Sequence, residues 1–137
     1  MITKSFKIFP IGRINKQNGI TIEIYEKYID ALLGLDQFSH IIVLYWLHKS
    51  DTEAKRDILQ VHPRGDIRRP LRGVFATRSP VRPNPIGMSV CKILSVEKNS
   101  IRINAIDAQD GTPVMDIKPY IPRNNSIPNA SCPEWLE

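Results

Sequence analysis

Apolar residues in this chain come in short runs, most of them with a period of two. Ile20, Ile22 and Ile24 alternate with Thr21, Glu23 and Tyr25, the spacing of a strand with one face in a core and the other in water. Phe6 to Ile14 is rich in β-favouring residues on both sides of Pro10. Because Pro10 has no ladder donor, the strand expected there is bulged or lies at an edge. Ser39 to His48 is apolar at both parities, which predicts a central strand covered on both faces. Ile86 to Lys98 and Ser100 to Asp107 read as a hairpin turning through Lys98-Asn99-Ser100, with Ile101, Ile103 and Ala105 alternating against Arg102 and Asn104. Ile58–Val61, Gly73–Thr77 and Val114–Ile117 are shorter strands. Helical spacing is limited to 29–36, where Ile29, Leu32 and Leu33 permit a short helix closed by Gly34 in a C-cap role.

Between these runs lie turn signals at Asn18-Gly19 and Asp110-Gly111, a polar loop over 49–57, and a stretch from His62 to Arg72 expected to be exposed and mobile. Pro80, Pro83 and Pro85 bar a helix and stiffen the backbone after Thr77. Many short strands with at most one or two short helices predict a mainly β fold, a small and mostly antiparallel β-barrel, and argue against βαβ units. The barrel domain is expected over 1–122, with 123–137 as an extended C-terminal tail.

Composition narrows the class. The 137 residues are 42% hydrophobic and 24% charged, which suits a folded domain with one core. The longest apolar run, Ile41 to Leu47, is far short of the roughly 20 residues of a spanning helix, and the N-terminus has no signal-peptide stretch. Cys91 lies in an apolar segment and Cys132 in a polar one, so a disulfide framework is not expected and a reducing cytoplasm fits. The net charge of +5 points either toward an anionic partner or only toward solubility. Six of the ten arginines (Arg64, Arg68, Arg69, Arg72, Arg78, Arg82) fall between 64 and 82, opposed there only by Asp66. They are either a solvated loop or a set of forks for phosphate and carboxylate.

Several chemistries are excluded by what is missing. There is no Gly-x-Gly-x-x-Gly turn, no phosphate-cradling Gly-x-x-x-x-Gly-Lys-Ser/Thr loop, and no Gly-x-Ser-x-Gly elbow. No His/Cys pair has zinc spacing, so no metal site is expected. His40 reads as a core histidine bonded to a neighbour, and Cys91 as a small core residue. His48, just past an apolar run, lies where binding groups collect. The strongest signal is Phe75 to Gly87, where Arg78, Ser79, Arg82 and Asn84 sit on a proline-stiffened loop. Such groups bind with little ordering cost, or the prolines simply reverse the chain. Asp107 and Asp116 stand at strand ends, where a carboxylate can orient a hydroxyl or amine or act as a base, whereas Asp110 is the residue before a turn glycine.

Four ordered segments, Gly34-Leu-Asp-Gln-Phe-Ser-His40, Gly73-Val-Phe-Ala-Thr-Arg-Ser79, Arg82-Pro-Asn-Pro-Ile-Gly-Met-Ser89 and Asp110-Gly-Thr-Pro-Val-Met-Asp-Ile-Lys-Pro-Tyr120, together resemble the TsaA/TrmO-like family. The likeness runs from about Ile11 to Pro122. It implies a small β-barrel, S-adenosylmethionine-dependent tRNA methyltransferase. Such an enzyme is a homodimer that holds its cofactor near the subunit interface and methylates N6 of threonylcarbamoyladenosine beside the tRNA anticodon. The implied cofactor shell is His48, Lys49, Arg78, Met88, Asn104, Ala105, Ile106 and Asp107, joined by Ser79, Arg82 and Asn84 of the stiffened loop. A dedicated base is not required for methyl transfer; Asp116 is the first candidate for one and Tyr120 the second. The chain departs from the family pattern in its short, proline-free loop Asn15-Lys-Gln-Asn-Gly19 and in ending at Glu137, without the small C-terminal domain that bacterial relatives often carry. Two rivals stay open: an S-adenosylmethionine sensor or interaction module without RNA methylation, and a methyltransferase for another acceptor. A plain nucleic-acid binder is disfavoured by the lack of aromatic interleaving among the arginines.

Overall fold

The computed structural model describes residues 4–136. Its strands are β1 (Gly12–Asn15), β2 (Thr21–Ile24), β3 (His40–Trp46), β4 (Gln60–Val61), β5 (Arg72–Gly73), β6 (Ile86–Glu97), β7 (Ser100–Ile103) and β8 (Pro113–Pro119). Two helices of four residues each are α1 (Glu53–Arg56) and α2 (Pro122–Asn125). Internal contacts divide the residues into two compact units that interleave in sequence, 4–46 with 88–120 and 47–87 with 121–136.

The first unit is the expected barrel. Its strands close in the order β1-β2-β7-β6-β3-β8, and the β1–β2, β2–β7, β7–β6, β3–β8 and β8–β1 seams are antiparallel. Period-two alternation fills the interior: Ile14, Ile22, Ile24, Ile41, Val43, Tyr45, Cys91, Ile101, Ile103 and Val114 are all buried. Each such side chain contributes roughly 1.5–3 kcal/mol. Closure runs through Gly12, which is in register with Ile24 on one side and Val114 on the other. A Cβ at Gly12 would run into the Glu23 carbonyl oxygen, so a residue with no side chain is required there.

Three expectations for this unit change. The first strand begins only at Gly12; Lys4 to Pro10 are exposed and outside any strand, because Pro10 interrupts the donors a longer strand would need. β3 buries Ile41, Val43 and Tyr45 but leaves Ile42, Leu44 and Trp46 half-buried, since a closed barrel has an interior on one face only. The predicted helix over 29–36 is instead a 3-10 segment, Glu26–Leu32, followed by a second, Leu35–Gln37. Gly34 between them adopts φ 86, a left-handed conformation that suits glycine. The predicted hairpin forms, with Glu97 opposite Ser100 and Lys98 at φ 51 in the turn.

In the second unit β4 and β5 pair as a two-stranded antiparallel sheet, and Val74–Ala76 forms a 3-10 turn where a longer strand was expected. The 49–57 segment, read as a loop, contains α1; Thr52 Oγ1 caps it by accepting from Lys55 N at 3.2 Å. Residues 62–72 are tied down rather than free. Pro63 is buried, and Asp66 Oδ1 accepts from the Arg68 backbone at 3.0 Å. Residues 121–136, most of the expected tail, belong to this unit and contain α2 and a 3-10 turn at Glu134–Leu136.

Candidate functional site

The proline-stiffened loop of the second unit is locked by its own polar groups. Thr77 Oγ1 donates to Val74 O at 3.0 Å and accepts from Ser79 N at 3.2 Å, and Ser79 Oγ accepts from Val81 N at 3.2 Å. Arg82 Nη1 donates to Thr77 O at 3.1 Å and to Ser79 O at 3.0 Å. At the far end, Pro85 is fully buried and its carbonyl accepts from Leu47 N at 2.7 Å. Arg56, on α1, donates from Nε to Pro83 O at 2.7 Å, from Nη2 to Asn84 Oδ1 at 3.0 Å, and from Nη1 to Asp51 at 3.0 Å. Proline limits the backbone and arginine satisfies its carbonyls, so the loop is ordered before any ligand arrives.

This arrangement sorts the six clustered arginines. Arg68 pairs with Asp66 at 3.0 Å and holds that carboxyl below its usual range. Arg69 donates to Trp135 O at 2.5 Å and lies 3.9 Å from Asp66. Arg72 stands over the Trp135 ring, 5.7 Å from its centroid. Arg82 braces the loop. Arg64 and Arg78 remain: among the described residues neither has an ion-pair or hydrogen-bond partner for its side chain, and both are exposed. Both line the same cavity, of about 1250 Å³, whose walls come from Val61 to Arg69, from Phe75 to Val81 and from Ser131 to Leu136. Its lining is mainly apolar, with His62, Thr77 and Ser79 as further polar groups. His62 Nδ1 is held 2.8 Å from Arg69 O.

The sequence-predicted residues divide between the units. His48, Lys49, Arg78, Ser79, Arg82 and Asn84 belong to the second; Met88, Asn104, Ala105, Ile106, Asp107, Asp116 and Tyr120 belong to the first. Arg78 and Ser79 meet at the cavity. Arg82 and Asn84 are engaged within the loop, as brace and anchor. His48 and Lys49 are exposed in a 3-10 turn directly after β3.

In the first unit, Asn104 follows β7, and its Oδ1 accepts from Lys92 N at 2.9 Å; Ile106 is buried while Ala105 and Asp107 are exposed. The short loop 15–19 is fastened to this segment, with Lys16 Nζ donating to Ile106 O at 2.9 Å and Lys16 N to Asp110 Oδ1 at 2.8 Å. Met88 lies on the exposed face of β6. Asp116, opposite Leu44 on β8, is exposed; its Oδ1 accepts from Ile117 N at 2.9 Å and its Oδ2 lies 3.4 Å from Lys118 Nζ. Tyr120 meets the His40 ring edge-on at 6.2 Å, and His40 Nδ1 is 2.7 Å from Ser39 Oγ, the neighbour bond expected of it, although His40 is half-buried at the start of β3 rather than in the core. Cys91 is fully buried, and burial, then the charge of Asp107, push its thiol up to about 11. Among the described residues no group of three or more His, Cys, Asp or Glu side chains could hold a metal, and no helix is long and apolar enough to cross a membrane.

Arg56 escaped notice in the sequence as a part of this site, and Phe75, though it opens the segment singled out there, was given no role of its own. Thr52-Glu-Ala-Lys, an N-cap ahead of helix-favouring residues, was the available signal for α1 and so for Arg56. Nothing local marked Phe75 as exposed, because phenylalanine in a strand context reads as core.

Fold and loop together define a small β-barrel protein with a preformed, arginine-lined cavity. The chain belongs to the tRNA-methyltransferase O family: residues 3–126 match the family's N-terminal domain. It is 52% identical over 110 residues to a Methanocaldococcus jannaschii protein named "Probable S-adenosyl-L-methionine-binding protein", covering 80% of this chain and 87% of that one. It is 43% identical over 106 residues to the Escherichia coli tRNA (adenine(37)-N6)-methyltransferase, covering 74% of this chain and 44% of that one. The crystal structure of TrmO from P. aeruginosa superposes with a TM-score of 0.76 at 28% identity, covering 97% of this chain and 62% of that one. The chain therefore spans somewhat under two thirds of the solved TrmO chain.

Proposed function

We propose that this chain is an S-adenosylmethionine-dependent tRNA methyltransferase domain whose acceptor is N6 of threonylcarbamoyladenosine next to the anticodon. The observation that carries the reading is Arg78. A loop whose other polar groups bond to one another leaves this guanidinium without a partner among the described residues, at the wall of a preformed cavity. An unpaired fork of that kind suits a carboxylate, and the cofactor ends in one.

The other residues of the proposed shell are of chemical types that suit the rest of the cofactor. Asp107 is an exposed carboxylate for ribose hydroxyls or the amino group, and Met88 is an exposed apolar side chain for adenine. Asn104, Ala105 and Ile106 form the segment leading into Asp107. His48 and Lys49 are exposed polar groups at the end of β3, and Ser79, Arg82 and Asn84 hold the loop that presents Arg78. S-adenosylmethionine supplies a methyl group activated by its sulfonium. The protein's share is alignment of donor and acceptor, with ordering cost met in advance by the locked loop. N6 of the acceptor takes the methyl and gives up its proton. Asp116 is the group proposed to receive that proton and Tyr120 the alternative, although transfer to water would also balance the reaction.

A homodimer and a cytoplasmic location belong to the same reading. The support for self-association is the outward face of β6, where Met88, Val90 and Leu94 are about half exposed with Lys92 as the charged position among them, beside the half-buried Ile42, Leu44 and Trp46 of neighbouring β3. An apolar face spread over two adjacent strands is what a second copy would cover.

The test is incubation with methyl-labelled S-adenosylmethionine and tRNA with or without the threonylcarbamoyl group, scoring binding and transfer separately. Transfer that depends on the modification is expected. Transfer to unmodified tRNA alone would point to another acceptor, binding without transfer to any RNA would favour a sensor, and absence of cofactor binding would sink the proposal.

A further inference from the structure

Arg64 has a backbone at φ 58, ψ 21, the left-handed region that residues with a side chain seldom occupy. The conformation is held from both sides. Pro63 before it is buried, Gly65 after it sits at φ 68 with its N–H donating to His62 O at 2.9 Å, and Asp66 N donates to Pro63 O at 3.2 Å. The turn therefore presents an arginine whose guanidinium has no partner among the described residues, although Asp66, the one acid nearby in sequence, is engaged by Arg68 and Arg69.

The cavity that Arg64 lines is also lined by Phe75 and Ile67, each 82% exposed. Large apolar side chains so exposed, lining the same cavity as a cation with no partner among the described residues, give that cavity two chemistries, an apolar surface and an anion fork. At about 1250 Å³ the cavity exceeds the roughly 300–1,000 Å³ of a site for one small ligand, so Arg78 and its ligand do not exhaust it.

We infer that Arg64 and Phe75 form, within this cavity, the subsite for the acceptor RNA. Phe75 stacks on a nucleobase of a single-stranded loop, and Arg64 pairs with an oxygen-bearing anion of the same strand. That anion is a backbone phosphate or a carboxylate carried by the modified adenosine; both offer two oxygens to the fork. This rests on the proposed methyltransferase reading only for the identity of the strand.

The experiment measures fluorescence anisotropy of a labelled anticodon stem-loop RNA, with and without the threonylcarbamoyl group, at several salt concentrations. The proteins are the full chain, Arg64→Gly, Arg64→Lys and Phe75→Leu. Glycine is chosen because it accepts φ 58 without strain, so the fold is retained, and the melting midpoint of each variant checks this. Calorimetry with S-adenosylmethionine runs alongside. Arg64→Gly is expected to weaken RNA binding about tenfold, Arg64→Lys to recover part of it, and Phe75→Leu to weaken it by a similar factor, with cofactor affinity unchanged. Equal loss for both RNAs, with the salt slope reduced by about one, assigns Arg64 to phosphate; loss confined to the modified RNA assigns it to carboxylate. RNA affinity within twofold of the unmodified chain in both Arg64→Gly and Phe75→Leu overturns the inference. So does a chain that takes the cofactor and no stem-loop, an outcome that leaves the cofactor reading standing. A chain that binds stem-loop through Arg64 without binding cofactor sinks the methyltransferase reading and leaves this subsite intact.

Discussion

Arg82 donates from Nη1 to the carbonyl oxygen of Ser79 at 3.0 Å, so a guanidinium expected to meet a ligand also braces its own loop. The same nitrogen reaches Thr77 O at 3.1 Å. Arg78, four residues earlier, has the opposite character: exposed, and without an intramolecular partner among the described residues.

Substitution separates these roles. Arg82→Ala is expected to lower unfolding stability by about 1–3 kcal/mol, because two carbonyls lose a charged donor. Arg78→Ala is expected to stay within about 0.5 kcal/mol of the parent while weakening S-adenosylmethionine binding. Urea denaturation and calorimetry on the two variants check this; equal stability losses would refute the division of labour.

Gly12→Ala tests the barrel seam. The added methyl meets the backbone carbonyl of Glu23, which cannot move without breaking register with Arg13. A loss on the order of 1–3 kcal/mol is expected from overpacking, read as a lower denaturant midpoint.

The two cysteines differ in reactivity. Cys91 is buried and its thiol is raised from 9.0 to about 11, whereas Cys132 is exposed. A thiol-specific reagent at pH 8 should label one cysteine in the folded protein and two after denaturation. The sign of the linkage follows: folding favours the neutral thiol, so its contribution is full below about pH 9 and lost as pH rises toward 11. Replacing Cys91 with alanine should therefore flatten the fall in stability over that window, at the cost of a cavity.

Val90→Asp places a charge on the half-exposed apolar face of β6. If that face meets a second copy, light scattering will show the parent at twice the mass of the variant, with both equally folded by circular dichroism. A monomeric parent, or a dimeric variant, would remove the proposed interface.

The barrel was legible from the chain because period-two alternation is a local property: Ile22 and Ile24, or Ile101 and Ile103, declare their buried face without reference to anything distant. The turns at Gly19, Lys98 and Gly111 were legible for the same reason, since left-handed backbone and turn chemistry are set by neighbouring residues. The family, too, was carried by contiguous motifs. What the sequence could not distribute was the work of its arginines. Six of them in nineteen residues look alike until folding brings Trp135 to Arg69 and Arg72 and places Thr77 and Ser79 within reach of Arg82. Partnership depends on long-range distance and geometry, whereas composition records only charge. Tertiary structure alone decided that Arg64 and Arg78 are left without a partner among the described residues, that Phe75 faces solvent, and that both arginines share one cavity with it.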